Sequence, residues 1–553
     1  MQRLTELPVL AIDCQSTGAS PKHGHLLELA WCRTCADDES SPEVASFVLE
    51  LPDGDTIPRR IQRMTGIDDE AMAEAVPPES VWEKLRREAA ETPHSVIHYA
   101  RFERAFLDDA HGRFGADDAF PLDIVCTHAI ARRLFSDLPR RGIRALAGYL
   151  GHTLPEQKRA GHHALATAWI WRQLVRDLRL GHGVETLDEL RQWLEQTPVS
   201  SSKKTHYAID RDLRLSLPQT PGVYRMLSKT SDVLYVGKAT SLKQRVNTYF
   251  QTRRGLSERK LELVTQVWDL DVTTVPTPLE AALLETDEIK RHSPPYNWGL
   301  RQKHRELRFA NADWTSFSDI FDDEHATGPL RSTRSLRLAS ALEDTGPVAE
   351  WLTEEAPEYL ADAAEWLDAG VDAFYVRHGD CDLDALALVL WEEYLAAKEL
   401  ADEESGADDE AENEQLEEEE LVWTDELVAD ALETALRRAH RACRRARWLC
   451  RLTDATIAWR PSIDGCNGRM IVLEAGEVVE ARDWEGEALD EPPGHARTAG
   501  ERKALFDLAM WDRLRVLTTE LRRLLSDGRE VRVRFDNETS LGVGELKIAL
   551  ALI

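Results

Sequence analysis

Pro221-Gly222-Val223-Tyr224 and Leu234-Tyr235-Val236-Gly237-Lys238-Ala239 decide how the middle of this chain is read. Each run is short and apolar and carries a tyrosine, and a polar turn from Ser228 to Asp232 separates them. That pattern reads as two paired strands. Leu242-Lys243-Gln244-Arg245-Val246 follows, then Tyr249-Phe250. Farther on, Leu283-Leu284-Glu285 runs to Ile289-Lys290-Arg291, with Pro295-Tyr296-Asn297 behind it. On a helix, Ala281, Ala282 and Ile289 share a face with Glu285. A lone carboxylate on an apolar face is costly to bury unless something pairs with it, and a hard cation would do so. Local charge points the same way. Residues 203–305 hold 18 Lys or Arg against 11 Asp or Glu, in a chain whose net charge is −31. A basic island of this kind suits a phosphate-bearing partner.

These residues resemble the GIY-YIG nuclease domain, in the version found in the N-terminal half of the excision-repair nuclease UvrC. The resemblance covers about 85 residues. It implies a small α/β domain over 206–305 that hydrolyses DNA phosphodiester bonds with Mg2+ or Mn2+. Such hydrolysis needs an activated water, a cation on the scissile phosphate and relief for the leaving oxygen. By resemblance Glu285 holds the metal. Tyr224 or Tyr235 activates or positions the water, with Tyr224 favoured as the base. Arg245 contacts the phosphate, where a planar fork suits two oxygens. Lys238, Tyr249 and Asn297 complete the surroundings. The sequence departs from the UvrC pattern after Asn297, reading Trp298-Gly299-Leu300-Arg301-Gln302-Lys303-His304. That leaves docking to neighbouring domains open.

Ahead of this module, Val9 to Val184 reads as α/β. Strands are expected at Val9–Ile12, Leu26–Cys32 and Ala45–Leu51, and helices at Val81–Ala90, Ala100–Ala110, Thr127–Leu134 and Ala164–Leu178. Asp13 to Gly18, Ile57-Pro58, Met64-Thr65-Gly66-Ile67, Phe102 to Leu107, Leu122-Asp123-Ile124 and Gly161-His162-His163-Ala164-Leu165 resemble the DnaQ-type proofreading exonucleases. The resemblance implies an RNase H-like fold with four carboxylates around two metals and a histidine that deprotonates water. Asp13 matches the first acid. Gln15 stands at the second, Glu103 at the third and Thr167 at the fourth, and His162 matches the histidine. Two negative charges in place of four bind hard cations weakly, so this site is expected to be impaired. Asp123 reads as a structural cap.

The remainder is less informative. Residues 197–205 read as a linker, 306–400 as a helical region (helices at Trp351–Leu367 and Leu383–Leu400), and 401–421 as an acidic linker. Asp402 to Glu420 carries 12 acids and no base, which reads as a solvated tether. Residues 422–553 read as a C-terminal α+β domain, mainly helical with a strand pair in Thr456–Arg482 and a last helix at Ala504–Leu525. Its arginines from Arg437 to Arg451 grip DNA, meet the acidic run or form a solvated helix face. Gly542-Val543-Gly544 is similar to half of a helix-hairpin-helix. The fold class is therefore α/β multidomain. Eight scattered cysteines suit a reducing cytosol, and Cys32 and Cys35 have no companions for zinc. The longest apolar run, Ala385 to Trp391, is too short for a membrane span, so a cytoplasmic protein is expected. The 14 Lys against 54 Arg, with the acid excess, suggest a salt-adapted or GC-rich source.

Three readings follow. The first is a structure-selective DNA endonuclease in repair, making incisions like those of nucleotide-excision repair, alongside other repair proteins. The second is a dual nuclease whose front module trims 3′ ends. The third is a DNA-binding or assembly factor with both sites dormant.

Overall fold

The computed structural model describes the chain apart from residues 1, 39, 116–117, 200–204, 252–255, 298–299, 301–305, 357, 406–422, 461–467, 487–488, 490–496 and 536–539. Two compact units result. The first comprises Met1–Ala281 with His292–Gly299, and the second Ala282–Arg291 with Leu300–Ile553. The two front modules therefore share one unit. The helix Pro278–His292 is divided between the units, a division that the expected boundary at residue 305 does not anticipate.

In the first unit, β1 (Val9–Ser16), β2 (Leu26–Thr34), β3 (Val44–Val48), β4 (His94–Ile97) and β5 (Asp123–Cys126) form a sheet in the order β3-β2-β1-β4-β5. β1 runs antiparallel to β2 and parallel to β4. Residues 9–14 of β1 are buried without a break, as a central strand covered on both faces requires. Val9 and Ala11 pack under the long helix Ala160–His182, with Trp171, Leu174 and Leu178. Leu10 and Ile12 face Trp82, Leu85, Phe106 and Leu107 of the helices Pro78–Glu91 and Ala100–Phe114. Asp13 shares the Val9 and Ala11 face by the two-residue period of a strand.

The Ala160–His182 helix has no side-chain cap of its own. Glu28 of β2, only 1% exposed, takes that role. Its carboxylate accepts from the Ala160 amide at 2.7 Å and from Arg159 and Ser46, and it lies at the positive end of the helix dipole. Glu28→Ala is therefore expected to cost about 2 kcal/mol in urea unfolding, from several lost charge-assisted bonds in a buried place. An unchanged midpoint would remove Glu28 from this role.

The central module is a three-stranded antiparallel sheet, β7-β6-β8, made of β6 (Gly222–Leu227), β7 (Val233–Ala239) and β8 (Asp269–Thr274). The helices Leu242–Thr248 and Glu258–Gln266 cover it through Leu242, Val246, Leu263 and Val264.

The second unit holds a small sheet β10-β9-β11 from β9 (Arg308–Ala310), β10 (Phe317–Ser318) and β11 (Thr327–Leu330). It also holds a four-stranded antiparallel sheet, β14-β13-β12-β15, from β12 (Ala455–Trp459), β13 (Gly468–Glu474), β14 (Glu477–Trp484) and β15 (Val531–Phe535). The expected strand pair is thus a three-strand meander with a fourth strand added from far along the chain. The alternation of Val531, Val533 and Phe535, all buried, marks that strand. The single helix expected at Trp351–Leu367 is instead Gly346–Glu354, Glu358–Ala361 and a 3-10 turn at Asp362–Trp366.

The helix Leu383–Ser405 extends into the expected acidic linker, the rest of which lies outside the described residues, as do 200–204 of the front linker. Three of the seven arginines of the helix Asp425–Leu452 pack against rings. Arg437 lies over Tyr394, Arg441 over Trp391 and Arg451 over Phe535. The amide of Gly542 is already taken by Glu545 at 2.9 Å, which leaves that donor occupied at the suspected phosphate grip. Among the described residues, no helix is long and apolar enough to cross a membrane.

Candidate active site of the central domain and the cleft of the first

The tyrosines of the central sheet converge. Tyr224 on β6 is fully buried, and its hydroxyl lies 3.1 Å from that of Tyr249, just beyond the Leu242–Thr248 helix. The rings of Tyr224, Tyr235 and Tyr249 lie 6.0, 6.3 and 6.2 Å apart, pair by pair. Arg245, one turn before Tyr249, hydrogen-bonds Tyr224 and sits 5.6 Å from the Tyr249 ring. Burial pushes the Tyr224 phenol well above its ordinary value, Tyr235 and Tyr249 add to the rise, and Arg245 opposes it. Burial works against the Arg245 charge too, yet Tyr224, Tyr249 and Tyr235 hold the guanidinium above its usual range. Tyr224 at neutral pH is thus a neutral phenol beside a fixed cation. Its ionisation would need further positive charge to offset its burial.

Gly237 makes this arrangement possible, although the sequence reading gave it no role beyond the motif. It pairs with Tyr224 across β6 and β7, and a Cβ there would stand 2.5 Å from the Tyr224 hydroxyl. Lys238, next along β7, is half-buried. Glu285 is half-buried on the Pro278–His292 helix, and Ala281, Ala282 and Ile289 are buried, as the spacing anticipates.

Asn297 departs from the expected role. Its Oδ1 accepts from the Val236 amide and its Nδ2 donates to the Val236 carbonyl, both at 2.9 Å. Each end of the side-chain amide makes a bond to β7, which ties Asn297 to the Val236 backbone. Sequence alone shows an amide, not which backbone it meets.

In the first domain, Asp13 keeps company with Gln15 and His163. Gln15 donates its amide to the Asp13 carboxylate at 2.9 Å, and His163 Nδ1 lies 3.3 Å from the same oxygen. The histidine on Asp13 is His163 and not its neighbour His162, to which the resemblance gives the water-deprotonating role. Side chains four apart share a helix face, so His163 and Thr167 turn together into the buried face while His162 is rotated away. His163 is 8% exposed and Thr167 0%, whereas His162 is only half-buried. Among the described residues, Glu103 Oε2, Thr167 Oγ1 and His162 Nδ1 are buried without a hydrogen-bond partner. Asp123, expected as a cap, opens β5 and is tied to His94 at 2.9 Å and Arg191 at 2.6 Å, while Cys126 stands at the N-cap of the next helix.

Burial, then the charge of Asp13, pushes the Glu103 carboxyl up to about 9. The folded chain therefore holds a proton that the unfolded chain releases, and stability falls as pH rises from about 4.5 toward about 9. Because Asp13 and Glu103 repel, the window belongs to the pair. Glu103→Gln cannot ionise. Its melting temperature is expected to exceed that of the parent at pH 8 and to match it near pH 4. A constant difference across pH would contradict the buried proton.

The donor set here does not fit a pair of metals, since an amide occupies the acid position beside Asp13. Among the described residues, no three His, Cys, Asp or Glu are grouped to hold an ion. A single carboxylate completed by water is the kind of all-oxygen ligand set that one hard cation takes, which is what the resemblance expects of Glu285.

The two modules are each similar to known proteins. The profile of the UvrC-like GIY-YIG domain matches residues 220–298, and that of the exonuclease family matches residues 10–168. A Mycobacterium tuberculosis protein, named by inference as a bifunctional exonuclease/endonuclease, is 30% identical over 61% of this chain and 52% of its own length. UvrABC system protein C of a Psychrobacter species is 44% identical over 20% of this chain and 19% of its own. The chain thus spans about half the length of the first relative and about a fifth of the second. The crystal structure of the GIY-YIG N-terminal endonuclease domain of UvrC from Thermotoga maritima, bound to its catalytic magnesium, is 31% identical. It covers 16% of this chain and 94% of that one, with a TM-score of 0.15. Residues 10–168 of this chain belong to the exonuclease family, and residues 220–298 are a UvrC-like GIY-YIG domain.

Proposed function

We propose that this chain is a metal-dependent DNA endonuclease that cuts through its central domain. The observation that carries the reading is the convergence of Tyr224, Tyr235, Tyr249 and Arg245 around the space that Gly237 leaves open. Arg245 binds the scissile phosphate, Tyr224 orients the attacking water and receives its proton only as the phenolate, once its own proton has passed to solvent, and Lys238 and Tyr249 hold the reacting group in place. Glu285 holds a single Mg2+ or Mn2+. When bound, that ion offsets the charge that develops on the phosphate and the leaving oxygen. Asn297 acts through β7.

DNA is the substrate of this reading, and a repair incision alongside other repair proteins is the setting that its UvrC-like domain suggests. The working domains are proposed as 1–196 and 206–305, with 422–553 behind the acidic stretch. Cytoplasmic residence fits this setting. For the first domain we propose that DNA is held, not trimmed. The Gln15 amide on Asp13 favours that choice, because it fills the place of a metal-bridging acid.

Nicking of supercoiled and damaged DNA with magnesium or manganese, from low to molar salt, tests the reading. Nicks that vanish with a chelator are expected. A chain that binds DNA at every salt concentration and never cuts it would leave the dormant binding factor standing.

A further inference from the structure

We propose that the exonuclease-family domain controls the cutting domain beside it, through a polar relay that ends on β7. The inference rests on the nuclease reading above and names Tyr296 and Glu262 as positioning residues for it.

The relay starts where the two domains of the first unit pack. The helix Ile143–Leu150 of the first domain lies on the helix Glu258–Gln266 of the second. The closest approach is at Gly148, where a Cβ would stand 2.0 Å from Gln266 Oε1. Gln266 thus lies directly against first-domain backbone, and only glycine leaves room for it. Its Nε2 donates to the Tyr296 hydroxyl at 2.5 Å, and that hydroxyl donates onward to Glu262 Oε1 at 2.7 Å. The same Glu262 oxygen lies 3.7 Å from Arg144 of the first domain. Arg144 in turn is fixed by the carbonyls of Leu154, Pro155 and Glu156. The Tyr296 hydroxyl therefore accepts from one side and donates to the other, which fixes the ring and the chain behind it.

The far end of the relay is the cutting strand. β7 is an edge strand of its sheet. The Tyr296 amide donates to the Leu234 carbonyl at 3.1 Å, and Asn297 takes both backbone groups of Val236. Residues 234 and 236 are thereby clamped on the outer edge, Tyr235 and Gly237 alternate with them, and Lys238 follows next along the strand. A shift at Tyr296 moves the strand that carries these side chains. In the other direction the relay reaches the first domain, whose own acid site lacks a metal-holding set. That domain here serves as a brace.

The test uses the full chain in single-turnover nicking with magnesium. Tyr296→Phe keeps the ring and removes the hydroxyl, and Gly148→Met wedges the domain contact from the other side. Each is expected to lower kcat about tenfold while DNA affinity stays within about twofold, because the strand is misplaced and the phosphate contacts remain. The two losses should not multiply in the double variant, since both cut one relay. Glu262→Gln, which still accepts from the tyrosine, should cut faster than Glu262→Ala. Arg144→Met stands in if Gly148→Met fails to fold. Wild-type cutting by Tyr296→Phe, or losses that multiply, would overturn the relay while leaving the nuclease reading intact. Absence of nicks from the parent chain would instead defeat that reading.

Discussion

Glu285→Gln is expected to lower the nicking rate by about 10³-fold or more while leaving the fold as stable as the parent. The substitution keeps shape and removes one negative charge. Hard cations bind by ligand charge, and an ion held by one protein carboxylate has no second acid to fall back on. The lost activity should therefore come with lost magnesium or manganese binding, read by calorimetry on the full chain. DNA affinity should survive, because Arg245 and Lys238 are untouched. Stability should hold or rise slightly, since Glu285 is half-buried on a helix face that also carries buried Ala281, Ala282 and Ile289. Activity and stability thus move apart, as expected when a group serves chemistry and not packing. Nicking at the parent rate would end the assignment of Glu285 to the metal.

Gly237→Ala should cost about 10²-fold in nicking for a steric reason. The added carbon would stand 2.5 Å from the Tyr224 hydroxyl, 2.6 Å from its ring carbon and 2.8 Å from the Tyr235 ring. Tyr224 is fully buried, with Tyr249 close behind it, so it has no open space into which to retreat. Overpacking of this kind also costs about 1–3 kcal/mol. A variant that melts a few degrees lower, binds DNA as before and cuts slowly is the expected outcome. A variant that melts lower and cuts at the parent rate would show that Tyr224 tolerates displacement and is not the group that orients the water.

The placements of His163 and Asn297 have a common origin. Gln15, Glu103 and Thr167 could be read from sequence as substitutions in an acid set, because the loss of charge is written in residue type. The choice between His162 and His163 could not. It depends on the rotation of the Ala160–His182 helix about its axis, which Glu28 fixes from a strand more than 130 positions away. Asn297 is similar. Its residue type suits a site, but its partner is a backbone that only folding brings near. In the second unit, β15 joins β12 across more than 70 residues of chain, and no local pattern announces that pairing.

By itself the sequence determined the chemistry available: the tyrosines, arginine, lysine and carboxylate of the central domain, and the depleted acids of the first. It also determined most local elements, since burial on one face imposes a period of two or 3.6 on the chain. Tertiary structure decided which histidine meets Asp13, that Asn297 braces β7, and that Gly148 admits Gln266 between two domains. Those outcomes depend on helix rotation and close approach between distant segments. Such contacts are set by packing as a whole, and residue order does not encode them locally.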